Sequence, residues 1–152
     1  ESLIQQIKNA LRPGGTFSFN TSFFEGGHPP ESHEFYRRWM MRSLRILRRE
    51  YGLRAVRSEK VESRRQLTAD EYSDLVEAQG FKVVKRDVTK VDVPLQGWLD
   101  ISGYRDFIEG VMPGVPMEEA SASLQQGVRE IYDELRIKFV PRNWLGIVAT
   151  RV

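Results

Sequence analysis

Apolar positions recur at helical spacing in residues 1–11, "ESLIQQIKNAL", where Leu3, Ile4, Ile7 and Leu11 share one side. Pro13 disfavours helix at the residue before it, so this helix should stop at Arg12. Gly14 and Gly15 then permit a turn. "TFSFNTSF" alternates, with Phe17, Phe19 and Thr21 on one side, and predicts a strand. A Gly- and Pro-rich loop follows, "EGGHPPESHE", holding both histidines of the protein.

A long amphipathic helix is predicted from Glu34 to about Tyr51. Phe35, Trp39, Ser43, Ile46 and Leu47 share one face, and Tyr36, Met40, Leu44 and Tyr51 broaden it. Arg37, Arg38, Arg42, Arg45, Arg48 and Arg49 fill much of the rest, and Gly52 is placed to cap the end. "QLTADEYSDLVEAQGF" predicts a compact helix with Thr68 as N-cap, Glu71 completing a capping box, and Gly80 ending it. Its inward positions are Tyr72, Leu75 and Val76. A strand follows over 81–93, led by Phe81, Val83 and Val84.

Residues 94–116 are turn-rich, with one short helix expected around 101–111. "PMEEASASLQQGVREIYDELRIKF" predicts a further helix with an inward stripe of Leu124, Val128, Ile131, Tyr132, Leu135 and Phe139. Gly127 inside it costs up to about 1 kcal/mol against Ala and suggests a close contact. "NWLGIVATRV" predicts a terminal strand. Alternating helices and strands define an α/β protein.

Composition changes this picture little. The 152 residues suffice for one domain with a core, expected over 1–152. No apolar run reaches the length of a membrane span. There is no Cys, which excludes disulfide and thiolate chemistry and fits a reducing compartment, so a cytoplasmic protein is expected. The chain opens on Glu1 rather than Met, which reads as a piece of a longer chain.

Charge changes it more. The net charge is only +2, yet residues 31–65 hold eleven basic side chains (ten Arg and Lys60) against five Glu. That balance does not support nucleic acid as a partner of the whole chain. It leaves a local anionic partner open.

The order of these pieces resembles the C-terminal half of a class I S-adenosylmethionine-dependent methyltransferase. The turn of Leu11, Pro13, Gly14 and Gly15 is similar to the turn that precedes that family's fifth strand. Thr68, Glu71, Ala78, Gly80 and Phe81 match the start and end of its last large helix. The resemblance covers 1–24, 66–90 and 143–152. It implies a partial Rossmann-like sheet of strands 5, 6 and 7, the last inserted antiparallel. Residues 25–65 and 92–142 are then helical insertions that shape a substrate site or lid. The resemblance also implies S-adenosylmethionine as cofactor of the parent protein and a small-molecule methyl acceptor. No Gly-x-Gly-x-Gly loop follows a strand here, so no cofactor-binding residue is assigned and none is expected bound to this chain alone. The strand over 16–23 becomes a sheet edge, and self-association or pairing with the N-terminal half is expected.

Ligands in open α/β sheets sit beyond the strand ends. Asn20, Thr21, Ser22, Phe23, Glu25, His28 and His33 are therefore candidates to line a substrate pocket, with His28 or His33 as general base. The other reading is a solvated loop with two exposed histidines. His28, His33, Glu25 and Glu34 match no metal-ligand spacing, and no metal is expected. Trp98, Tyr104, Phe107 and Met112 could wall an acceptor pocket or anchor the second insertion to a core, and Trp39 on the Arg-rich helix is a further substrate-binding candidate. The Arg-rich helix 34–51 is read as a solvated basic face, as a lid, as a grip for nucleic acid or an anionic membrane surface with Trp39 and Met40 as anchors, or as a docking surface for an anionic partner through Arg42, Arg45 and Arg49. On the last reading the chain is a non-enzymatic dimerisation or docking module.

Overall fold

The computed structural model describes residues 3–56 and 66–152. In chain order the elements are helix α1 (Leu3–Ala10), strand β1 (Thr16–Thr21), helices α2 (His33–Glu50) and α3 (Ala69–Ala78), and strand β2 (Phe81–Pro94). Helices α4 (Leu95–Ile101), α5 (Arg105–Val111) and α6 (Met117–Leu135) follow, and strand β3 (Phe139–Arg151) closes the chain. They form two compact units, one of Glu1–Pro29, Gln66–Val91 and Arg142–Val152, the other of Pro30–Arg65 and Asp92–Pro141.

The first unit is built on a three-stranded antiparallel sheet of order β1-β3-β2. β1 runs antiparallel to β3, with Phe17 opposite Ala149, Phe19 opposite Ile147 and Thr21 opposite Leu145. Residues directly opposite share a face, so the aromatic side of β1 joins the apolar side of β3. Phe17 and Phe19 pack with Val76, Phe81, Ala149 and the apolar stripe of α1. Leu3 does not join that stripe; it is exposed at the first helical position. Leu75 on α3 is also exposed, leaving Val76 as the residue that α3 buries.

Local chemistry fixes the ends of these elements. Gly14 takes a φ of +79°, which a side chain would strain, and its N–H donates to the Arg151 carbonyl at 2.9 Å. The Arg151 guanidinium donates to the carbonyls of Lys8 and Leu11, satisfying the end of α1. At α3 the capping box forms as expected. Glu71 N–H donates to Thr68 Oγ1 at 3.1 Å, and Thr68 N–H donates to Glu71 Oε2 at 2.8 Å.

The second unit is a helical core. α2 and α6 pack along their lengths, with Trp39, Leu47, Leu124, Val128 and Ile131 buried between them. A Cβ on Gly127 would lie 2.3 Å from Ser43 Oγ, so the glycine permits this approach. Two expectations are corrected here. The stretch 94–116 forms two helices, not one, because the first closes at Ser102, whose hydroxyl donates back to the Trp98 carbonyl at 2.6 Å. α6 stops at Leu135, because Arg136 takes a left-handed φ of 51°. Phe139 therefore opens β3, exposed, and is no part of the inward stripe. On α2, Leu44 and Tyr51 likewise face solvent and do not broaden the buried face.

Candidate functional site

The chain leaves β1 at Thr21 and enters a loop tied down over most of its length. The Phe23 amide donates to Thr21 Oγ1 at 3.0 Å, and the Phe23 carbonyl accepts from the Tyr72 hydroxyl at 3.2 Å. Phe24 is buried with Leu145 and Ile147. The Glu25 amide donates to the Leu67 carbonyl, and Asn143 donates through its amide and its side chain to the carbonyls of Gly27 and Gly26, all at 2.9 Å. Gly27 is required by packing: a Cβ there would sit 2.3 Å from the Ser22 carbonyl oxygen.

Arg142 of β3 organises this loop. It is 4% exposed. Its Nη2 donates to the Ser22 carbonyl at 3.0 Å, its Nη1 lies 3.2 Å from His28 Nε2, and its guanidinium stands 5.3 Å from the centre of the Phe23 ring. An arginine only donates, so in this contact His28 Nε2 accepts, and the imidazole carries its proton on Nδ1. That lone pair is then engaged by Arg142 rather than offered to an incoming proton. A buried guanidinium holding a backbone carbonyl, an imidazole and an aromatic face can fix the shape of a strand-end loop.

The sequence-predicted residues separate accordingly. Ser22, Phe23 and His28 meet at Arg142; Asn20 lies exposed on β1. His28 is half-buried, which departs from the reading of two exposed histidines. His33 is exposed as the first residue of α2, in the second unit. Trp39 and Trp98 are enclosed in the helical core, and the Trp39 indole N–H donates to the Leu124 carbonyl at 2.9 Å. Neither tryptophan faces solvent. Tyr104 does, and its hydroxyl donates to Asp106 at 3.2 Å. Among the described residues no group of three or more His, Asp or Glu is placed to hold a metal.

The cofactor that the resemblance implies does not fit this loop. A nucleoside cradle needs backbone N–H groups presented at a Gly-rich turn. Here the Gly27 N–H donates to the Phe24 carbonyl, the space at its Cα is filled by Ser22, and a turn of Pro30–Ser32 intervenes before α2.

The second unit carries the basic helix. Arg38 pairs with Glu34 at 2.7 Å and Glu134 at 2.8 Å, and Arg42 pairs with Glu130 at 2.7 Å and with Glu134. Arg42 is thus an internal tie between α2 and α6, and does not belong to a free docking surface. One open groove of about 340 Å³ is lined by Arg42, Arg45, Arg49, Ile46, Glu50 and Glu130. A second, of about 240 Å³, is lined by Arg37, Arg38, Arg42 and Arg45 with Met41 and Glu134.

Arg42 holds the Glu130 and Glu134 carboxyls below their ordinary range, chiefly by hydrogen bonding, and its own pKa is raised in return. A depressed carboxylate contributes stability that is present above its unfolded value, near 4.5, and is lost as pH falls through its folded value. The thermal midpoint is therefore expected to drop below about pH 4.5, and to drop less steeply in Arg42→Gln. Melting curves across this range check it; an identical slope in the variant would remove Arg42 from the account.

Fold and loop together define a mixed α/β protein whose strand-end loop is fixed by a buried arginine. No protein-family pattern matches the chain, and no curated protein matches it. Among solved structures it is similar to a protein of Bacillus halodurans C-125 described provisionally as a methyltransferase, at 11% identity and a TM-score of 0.40. That match covers 97% of this chain and 56% of the other. It is also similar to phosphoethanolamine N-methyltransferase 2 of Haemonchus contortus, solved with phosphomonomethylethanolamine and S-adenosylhomocysteine, at 15% identity and a TM-score of 0.36. Here the match covers 98% of this chain and 29% of the other.

Sequence reasoning missed Arg142. Its signal was present as a cation inside a largely apolar strand, "FVPRNWLGIVATR", whose other arginine, Arg151, stands at the very end. Burial along β3 changes phase between Arg142 and Leu145, as at a bulge, so strict alternation did not place it on an inward face.

Proposed function

We propose that this chain is the C-terminal, substrate-side part of an S-adenosylmethionine-dependent methyltransferase acting on a small molecule. The observation that carries this reading is the sheet order β1-β3-β2, with the final strand inserted antiparallel. This is the arrangement that the resemblance implies for strands 5, 7 and 6. The motifs fall where that reading needs them. The Pro-Gly-Gly turn leads into β1, and the capped helix α3 leads through Gly80 into β2.

In this reading the chain contributes acceptor binding rather than cofactor binding. Methyl transfer rests on alignment and exclusion of water, and a residue set that fixes a loop serves both. Asn20, Ser22 and Phe23 are the residues proposed to meet the acceptor, with Arg142 behind them. His28 and His33 stand as candidate bases, His28 reaching a substrate only if Arg142 releases its Nε2. Trp39 and Trp98 support the fold from within. The outer edge of β1 is where the sheet continues in the whole protein; in the isolated chain it pairs with a second copy.

The test compares this chain with the product of its whole reading frame, each supplied with methyl-labelled S-adenosylmethionine and a small-molecule cell extract. The whole product is expected to label a small molecule. The isolated chain is expected to transfer nothing and to scatter light as more than a monomer. Transfer by the isolated chain, or none by the whole product, would overturn the reading.

A further inference from the structure

The outer face of α2 combines charge with exposed apolar surface. Arg37, Met41, Leu44, Arg45 and Arg48 fall within an arc of about 100° on the helix. All of them are exposed, Met41 at 53% and Leu44 at 42%, and Tyr51 just beyond the helix is exposed at 40%. Among the described residues Arg37, Arg45 and Arg48 enter no ion pair. The neighbouring position on α6 explains part of this. Glu134 and Glu130 neutralise Arg38 and Arg42, but the next turn of α6 presents Gln126, which bonds Glu50 and Glu130 instead.

We infer that this face docks the protein on an anionic lipid surface, with α2 lying in the plane of the interface. Guanidinium groups fork onto lipid phosphates, while Met41, Leu44 and Tyr51 enter the boundary of the acyl chains. The opposite face of α2 stays packed through Trp39, Ser43 and Leu47, so docking needs no unfolding. Docking through this face lays α2 along the surface; among the described residues no helix is long and apolar enough to cross a membrane.

The apolar component decides between anionic partners. A free phosphate would use the arginines and leave Met41 and Leu44 without a role. Single-stranded nucleic acid would need successive π-faces between the charges; Met41 and Leu44 offer none, and Tyr51 offers one only, beyond the end of the arginine row. The inference stands apart from methyl transfer: a catalytically silent protein would dock equally well.

Cosedimentation of the chain with vesicles of phosphatidylcholine and phosphatidylglycerol, against phosphatidylcholine alone, tests it. Binding only to the anionic vesicles, weakening with salt, is expected. Each arginine removed should cost about fivefold in partitioning, so Arg45→Glu with Arg48→Glu should cost well over tenfold. Met41→Ser with Leu44→Ser leaves charge unchanged and should weaken binding several-fold. Arg37→Gln with Arg45→Gln serves if charge reversal disturbs folding, as judged by circular dichroism. Equal partitioning into both vesicle types, or none, would overturn the inference. So would full binding by the serine variant combined with competition from inorganic phosphate, which would mark a free-phosphate site. Tighter, salt-sensitive binding to an oligonucleotide than to the vesicles would overturn it as well.

Discussion

Trp39→Ala is expected to destabilise the helical unit by about 3–5 kcal/mol, enough to remove much of the stability of an ordinary domain. Trp39 is fully buried. Its ring centre lies 5.8 Å from Phe35, 5.4 Å from Tyr36, 5.5 Å from Trp98 and 5.8 Å from Phe107, so one truncation opens a cavity against four aromatic neighbours. The same change removes the indole donor from the Leu124 carbonyl, which keeps its helical partner within α6, so this loss adds only about 0.5–1.5 kcal/mol. Trp39→Phe keeps part of the volume and loses the donor, and should fall between. Urea unfolding with near-ultraviolet circular dichroism measures both. A cost under about 1 kcal/mol for Trp39→Ala would mean that α2, α4, α5 and α6 do not share one core.

Arg142→Met has the second largest expected effect, about 2–3 kcal/mol, at nearly constant volume. The variant removes a charge-assisted bond to the buried Ser22 backbone, the contact with His28 and the stacking over Phe23. Arg142→Lys should recover less than half of the loss, because one ammonium cannot reach the carbonyl and the imidazole while keeping a planar face on Phe23. Nitrogen chemical shifts of His28 give a separate readout. They should report the Nδ1–H tautomer in the parent chain and a mixture in Arg142→Met. An unchanged tautomer and a loss under about 0.5 kcal/mol would remove Arg142 as the organiser of the loop.

Local chemistry was legible in the sequence, and distant chemistry was not. Thr68 and Glu71 are three residues apart and satisfy each other, so their spacing alone predicts the helix start. The alternation of Phe17 and Phe19 likewise marks the inward face of β1. Periodicity placed Trp39 on a covered face, but it could not say whether that cover was protein or ligand; the packing of Trp98 and Phe107 answers it. The end of α6 carried no glycine to announce it, since Arg136 itself takes the left-handed conformation. The candidate site depended on pairs that no local pattern reaches. Ser22 and Arg142 are 120 positions apart, and Arg42 and Glu130 are 88 apart. The Arg-rich helix was legible as a charge run. Its division into arginines tied to α6 and arginines facing solvent was not, because the dividing residues lie on another helix.

On our proposal this chain holds the acceptor side of a methyltransferase sheet and not its cofactor side. Calorimetric titration with S-adenosylhomocysteine, of the chain and of the product of its whole reading frame, tests it most directly. Saturable micromolar binding is expected of the whole product, and no measurable heat of binding of the chain. Micromolar binding by the chain alone would contradict it.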